Sequence, residues 1–135
     1  MADKWTPVKE AIVTMLLGIS GIKNVLTYSP NSIQISPIAL VQRLVADFPT
    51  GSSVGPDVYT VRIRLLSFDI DEQQAEVDLE NLFPIMRDTF DRTTLNGAAN
   101  VARLATVSFD PDVKVEYANT LCIYADYTLI VTAKR

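Results

Sequence analysis

An α+β fold is what the sequence predicts, with one mixed or antiparallel β-sheet, a long β-hairpin and two α-helices covering the sheet. Two stretches, near residues 7–19 and 71–90, repeat apolar residues at steps of three or four, the spacing of a one-sided helix. The remaining apolar runs are rich in β-branched and aromatic residues and are punctuated by Gly, Pro, Asn and Asp. The resulting order is α, several β, α, several β, in which helices gather against one sheet. No repeat, low-complexity tract or linker divides the 135 residues, so one domain spanning 1–135 is expected. A chain of this length buries roughly 68% of its unfolded surface and needs neither disulfide nor structural metal to hold a core.

The first helix is expected to open at Thr6-Pro7, with Thr as N-cap and Pro at the first helical position, where its missing N–H costs nothing. Val8, Ile12, Met15, Leu16 and Ile19 then form the apolar stripe, and Gly18 and Gly21 supply the stop. A strand is expected over Ile22–Tyr28, closed by the turn cluster Ser29-Pro30-Asn31-Ser32; Ile33 and Ile35 then alternate until Pro37. The run Ile38–Phe48 fits a helical period through Val41, Leu44, Val45 and Phe48, while Leu40, Gln42 and Leu44 also allow a strand. Its successor Val58–Phe68 favours the strand, because Tyr59, Val61, Ile63 and Leu65 alternate with Thr60, Arg62 and Arg64. A small, polar connector, Pro49 to Asp57, would join the two as a long hairpin.

Asp69 or Asp71 is placed to cap the second helix, with Glu72 or Gln74 completing the capping box. Its buried stripe reads Ala75, Leu79, Leu82, Phe83, Met86 and Phe90. Pro84 removes the bond to the Glu80 carbonyl and predicts a kink or break. After Asn96-Gly97 the chain returns to strands: Ala102–Phe109, a turn at Asp110-Pro111-Asp112, Val113–Tyr117, and a closing run from Leu121 to Ala133.

The absence of histidine removes the commonest metal ligand and the usual neutral-pH general base, and with them Ser-His-Asp and Cys-His catalysis within one chain. Cys122, in Leu-Cys-Ile-Tyr, reads as a small core residue. Asp69 and Asp71 end a strand in an Asp-x-Asp that could suit magnesium, but no basic cluster or glycine-rich phosphate loop accompanies them, so the cap reading is preferred. Gly51–Gly55 is no P-loop, because Pro56-Asp57 stands where Lys-Ser/Thr is required. No enzyme activity, catalytic residue, metal or cofactor is therefore expected. Ala11–Ile19 lacks the positive flank of a signal peptide and no run reaches membrane-spanning length, so the chain reads as cytoplasmic.

Net charge is −4, which argues against a grip on nucleic acid or anionic membrane. It is unevenly spread: Asp69 to Asp91 holds eight acids and one base, a net −7, leaving +3 for the rest. Glu72, Glu76 and Glu80 recur at i, i+4 along one helical strip, either as a solvated face or as an interface that meets Arg62, Arg64, Arg87 or Arg103 of another chain.

The element order resembles that of the tail terminator, or tail completion, proteins of long-tailed bacteriophages. The resemblance is carried by the helix from Pro7, the strand Val25–Tyr28, the hairpin lead-in Ser36-Pro37-Ile-Ala-Leu-Val41, the charged-then-apolar helix Asp71–Phe90, the Leu95-Asn96-Gly97 turn, Tyr117, Tyr124 and the closing apolar strand. It implies a virion protein, assembled in the host cytoplasm, that forms a homo-hexameric ring on the tail tube, stops tube growth and presents a joint to the head–tail connector. Its partners would be itself, the tail-tube protein and the connector or stopper protein, with DNA only passing through the lumen and no membrane. By position it puts Phe48, Thr50, Ser52, Ser53, Val54, Asp57, Lys134 and Arg135 at interfaces, beside the charged candidates Arg62, Arg64, Glu72, Glu76 and Glu80. Another neck protein, or a small non-enzymatic binding module of a cellular complex, is the alternative.

Overall fold

The computed structural model describes residues 4–28, 37–47, 56–68, 72–117 and 120–133. They form α1 (Trp5–Leu17), β1 (Asn24–Leu26), β2 (Ile38–Asp47), β3 (Val58–Ser67), α2 (Glu72–Phe90), β4 (Ala99–Tyr117) and β5 (Thr120–Ala133). The strands make one five-stranded sheet in the order β1-β2-β3-β5-β4. β1 runs parallel to β2 and every other pairing is antiparallel, so the fold is α+β with a mixed sheet.

Period-two alternation decides which side chains meet the helices. On β3, Tyr59, Val61 and Ile63 are buried between half-buried neighbours and the alternation ends in the buried run Leu65–Ser67, while β5 repeats the pattern from Ile123 to Ala133. The alternating residues share one core with Val8, Ile12 and Leu16 of α1 and with Ala75, Leu79, Leu82, Met86 and Phe90 of α2. α1 contacts β1 and β2, whereas α2 contacts β3, β4 and β5. The run from Ile38 is a strand, because Ala39 and Val41 feed this core while Ile38 and Leu40 are buried on the other face.

The helix ends differ from expectation. Lys4, not Thr6, flanks α1, and it is right-handed with no side-chain cap; Trp5 and Thr6 already lie inside the helix. Gly18 ends α1 at φ −75, its N–H donating to the Thr14 and Met15 carbonyls, so the left-handed freedom of glycine goes unused. Gly21 matters for space instead: a Cβ there would stand 2.8 Å from Leu82 Cδ2. Asp69 and Asp71, the expected caps of α2, lie outside the described residues.

α2 runs unbroken through Pro84. Pro84 and Glu80 are both exposed, so the Glu80 carbonyl deprived of its donor can be hydrated and the cost of the lost bond is limited. Phe83 also departs from the expected stripe, being 41% exposed although it touches the Tyr127 ring at 6.5 Å between centroids. The strand expected over Ile22–Tyr28 shortens to Asn24–Leu26, and Met15 is only half-buried. Arg92, Leu95, Asn96 and Gly97 all have positive φ, and this left-handed turn, tied by a Thr93–Ala102 bridge, carries the chain into β4.

Asp110-Pro111-Asp112 does not separate two strands. It lies within β4, at a register shift between Phe109, opposite Ala125, and Lys114, opposite Ile123. Three extra residues are accommodated there, a large bulge of the kind that bends and twists a strand. A second bulge sits in β2, where Leu44 has no partner between Arg43, opposite Val61, and Val45, opposite Thr60.

Candidate interaction surfaces

The strand face turned away from the helices carries the arginines. Arg64 lies opposite Asp126 on β5, and its guanidinium donates to both carboxylate oxygens, Nε to Oδ1 at 2.7 Å and Nη2 to Oδ2 at 2.9 Å. Nη1 donates to the Tyr117 hydroxyl at 2.9 Å, and the guanidinium stands 4.4 Å from the Tyr124 ring centroid. The side chains of the pair are only 14% and 19% exposed. Fork-to-carboxylate geometry with a stacked ring uses the arginine's planarity fully. The Asp126 bond raises the guanidinium above its ordinary value, burial opposes that rise, and the Tyr117 bond adds to it.

This arrangement also reveals the bend. Tyr117 pairs with Thr120, six residues from Asp126, which is roughly 20 Å along a straight strand. Its hydroxyl nonetheless reaches the partner of Asp126. The β4–β5 ribbon therefore curls over the arginine face beyond the Phe109/Lys114 bulge. Under it, Ile38, Leu40, Leu66 and Cys122 form a second buried cluster with Val115, Tyr117 and Tyr124 at its margin and, among the described residues, none from a helix. Cys122 is a free, fully buried thiol that burial pushes up to about 11, consistent with a packing role.

Arg64 is thus committed within its own chain, and its carboxylate is Asp126, not a residue of the acidic helix or of another subunit. Arg62 bonds the Gln42 amide oxygen through Nη2, while its buried Nε has no partner among the described residues. Arg103, opposite Ile130, is exposed on the same face. Glu76 is half-buried and Glu80 exposed on α2, on the other side of the sheet from these arginines; Glu72 begins the helix, and its side chain lies outside the described residues. Asp57 holds the end of the sheet, its carbonyl accepting the Ala133 N–H at 2.8 Å and its carboxylate accepting the Tyr59 hydroxyl at 3.4 Å. Phe48, Thr50, Ser52, Ser53, Val54, Lys134 and Arg135 lie outside the described residues.

Among the described residues no cluster of Cys, Asp or Glu side chains could hold a metal, and no helix is long and apolar enough to cross a membrane. An apolar groove of about 210 Å³ opens instead between α2 and β4, lined by Leu79, Phe83, Val107, Phe109 and Tyr127, with Glu80 among its lining residues. Sequence reasoning missed it by assigning Phe83 to the core. It also missed Asp126 and Tyr117 as partners of Arg64; the lone acid of the closing apolar run was the available signal, but pairing it required the β3–β5 register.

No protein-family model matches the chain, and no curated protein matches it in sequence at a significant level.

Proposed function

We propose that the chain is a non-enzymatic structural subunit of a phage-like tail, a terminator that forms a ring at the head-proximal end of the tail tube and joins it to the neck. In this reading β2 and β3 form a long hairpin, the two helices cover one face of the sheet, and the loop between the strands reaches a partner.

One observation carries the proposal: the acids Glu76 and Glu80 of α2 lie apart from the cations Lys9 of α1, Arg43 of β2 and Arg103 of β4, so one subunit carries unlike charged patches at separate places. Rings are built from head-to-tail contacts between two unlike patches, and such a subunit supplies them. The Arg64–Asp126 pair is closed on itself and braces the sheet, which suits a scaffolding role.

The test is mass measurement by native spectrometry or sedimentation at several salt concentrations, alone and with the tail-tube protein of the same genome. A closed oligomer on the tube is expected, with tail-tube and tape-measure genes as neighbours. A strictly monomeric protein under both conditions overturns the proposal. Glu76→Lys is expected to weaken assembly while moving folding stability by less than about 0.5 kcal/mol; unchanged assembly would reduce the acidic strip to a solvated face.

A further inference from the structure

The two outer edges of the helical layer are unlike. At one, β1 pairs only with Ile38–Leu40, so among the described residues the rest of β2 has no neighbour on that side. The bulge there leaves Leu44 outside the ladder and 50% exposed, in a depression shared with the cations Arg43 and Lys9. At the opposite edge lies the apolar groove between α2 and β4, with Glu80 in its lining and Glu76 one turn earlier on the same helix.

We infer that Leu44 of one copy seats in the Phe83–Phe109 groove of the next, with Arg43 and Lys9 meeting Glu80 and Glu76. This rests on the ring reading and identifies which edges meet. Three observations support a second copy as the occupant. Charge is complementary: the cations Arg43 and Lys9 lie beside the exposed leucine, and the carboxylate of Glu80 lines the groove. Size fits, because a cavity of roughly 150 Å³ already admits benzene and this one is larger. Direction fits, because the successive antiparallel pairings β2/β3, β3/β5 and β5/β4 make β2 and β4 antiparallel, so a rotated copy can lay its β2 edge beside β4. The bulge spoils β2 as a template for plain strand pairing, which leaves the exposed Leu44 side chain as the contact. Two unlike patches at different places on one surface generate a heterologous contact, which closes into a ring when the rotation between copies is a whole fraction of a turn.

Cysteine pairing tests this even when association is weak. Leu44→Cys and Phe83→Cys proteins, both in a Cys122→Ala background, are mixed and oxidised, with Leu44→Cys plus Asp91→Cys as the reference pair on another exposed part of the molecule. The Leu44–Phe83 disulfide is expected to form at least tenfold faster than the reference, and Glu80→Arg or 0.5 M salt is expected to slow it. Equal rates in a protein that is oligomeric by native mass overturn the docking and leave the ring standing. Equal rates in a protein that is monomeric with and without tail-tube protein overturn both. Faster pairing of Leu44→Cys with itself would mean a symmetric contact and also overturns the inference.

Discussion

On one side of the sheet Ile63, Leu65, Tyr127 and Leu129 meet aliphatic and aromatic side chains from two helices; on the other, the same two strands set Arg64 against Asp126 and close a small apolar cluster with the curled end of the β4–β5 ribbon. The helix side gains stability in proportion to area and tolerates many volume-conserving changes. The arginine side depends on a few directed bonds, each of which fails if its partner goes. The difference suggests a division of labour, with the helix side holding the fold and the arginine side holding the shape of the ribbon.

The largest effect is expected on the helix side. Phe90→Ala empties a fully buried site and should cost about 3–5 kcal/mol in urea unfolding. A loss under 1 kcal/mol would mean that the helix layer contributes little. On the arginine side, Asp126→Ala strands a mostly buried guanidinium and should cost about 2–3 kcal/mol, less than a fully buried pair because both groups keep some solvent contact. The double variant Arg64→Leu/Asp126→Val should be more stable than Asp126→Ala alone; a double variant worse than either single change would contradict the account of the pair.

Alkali separates the faces by order of failure. Burial holds the Cys122 thiol at about 11 against an ordinary 9.0 and the Tyr127 phenol at about 12 against 10.0. Both groups keep their protons longer when folded, so their contribution is complete below the ordinary value and is lost as pH rises towards the folded one. Stability should fall from pH 9 upwards on the arginine side and from pH 10 on the helix side, by about 2–3 kcal/mol for each group. Cys122→Ala should remove the earlier part of the decline, and a flat profile to pH 11 would refute the burial of both. Smallest is Gly21→Ala, whose new methyl presses on Leu82 and should cost about 1 kcal/mol; no change would show that the α1–β1 turn yields to α2.

Much of the helix side was legible in the sequence, because its physics is periodic. Val8, Ile12 and Leu16, or Tyr59, Val61 and Ile63, announce their face by spacing alone. Phe83 misled for the same reason, since its period fits the stripe while the groove beside it leaves the ring half out. The arginine side was illegible because its bonds span long separations: Arg64 and Asp126 are 62 residues apart. The bulge at Asp110-Pro111-Asp112 was also hidden, because a turn and a bulge draw on the same residues and only the register tells them apart.

β5 follows β4 in sequence, yet it lies between β3 and β4 in the sheet. During synthesis β3 therefore waits for its inner neighbour until residues 120–133 have left the ribosome, and β4 has no sheet to join before then. Ile63 and Leu65 can pack against α1 and α2 before then, but the backbone groups of β3 that pair with β5 stay open, so the sheet should complete only after residues 120–133 emerge, with the risk of misassembly concentrated in that interval.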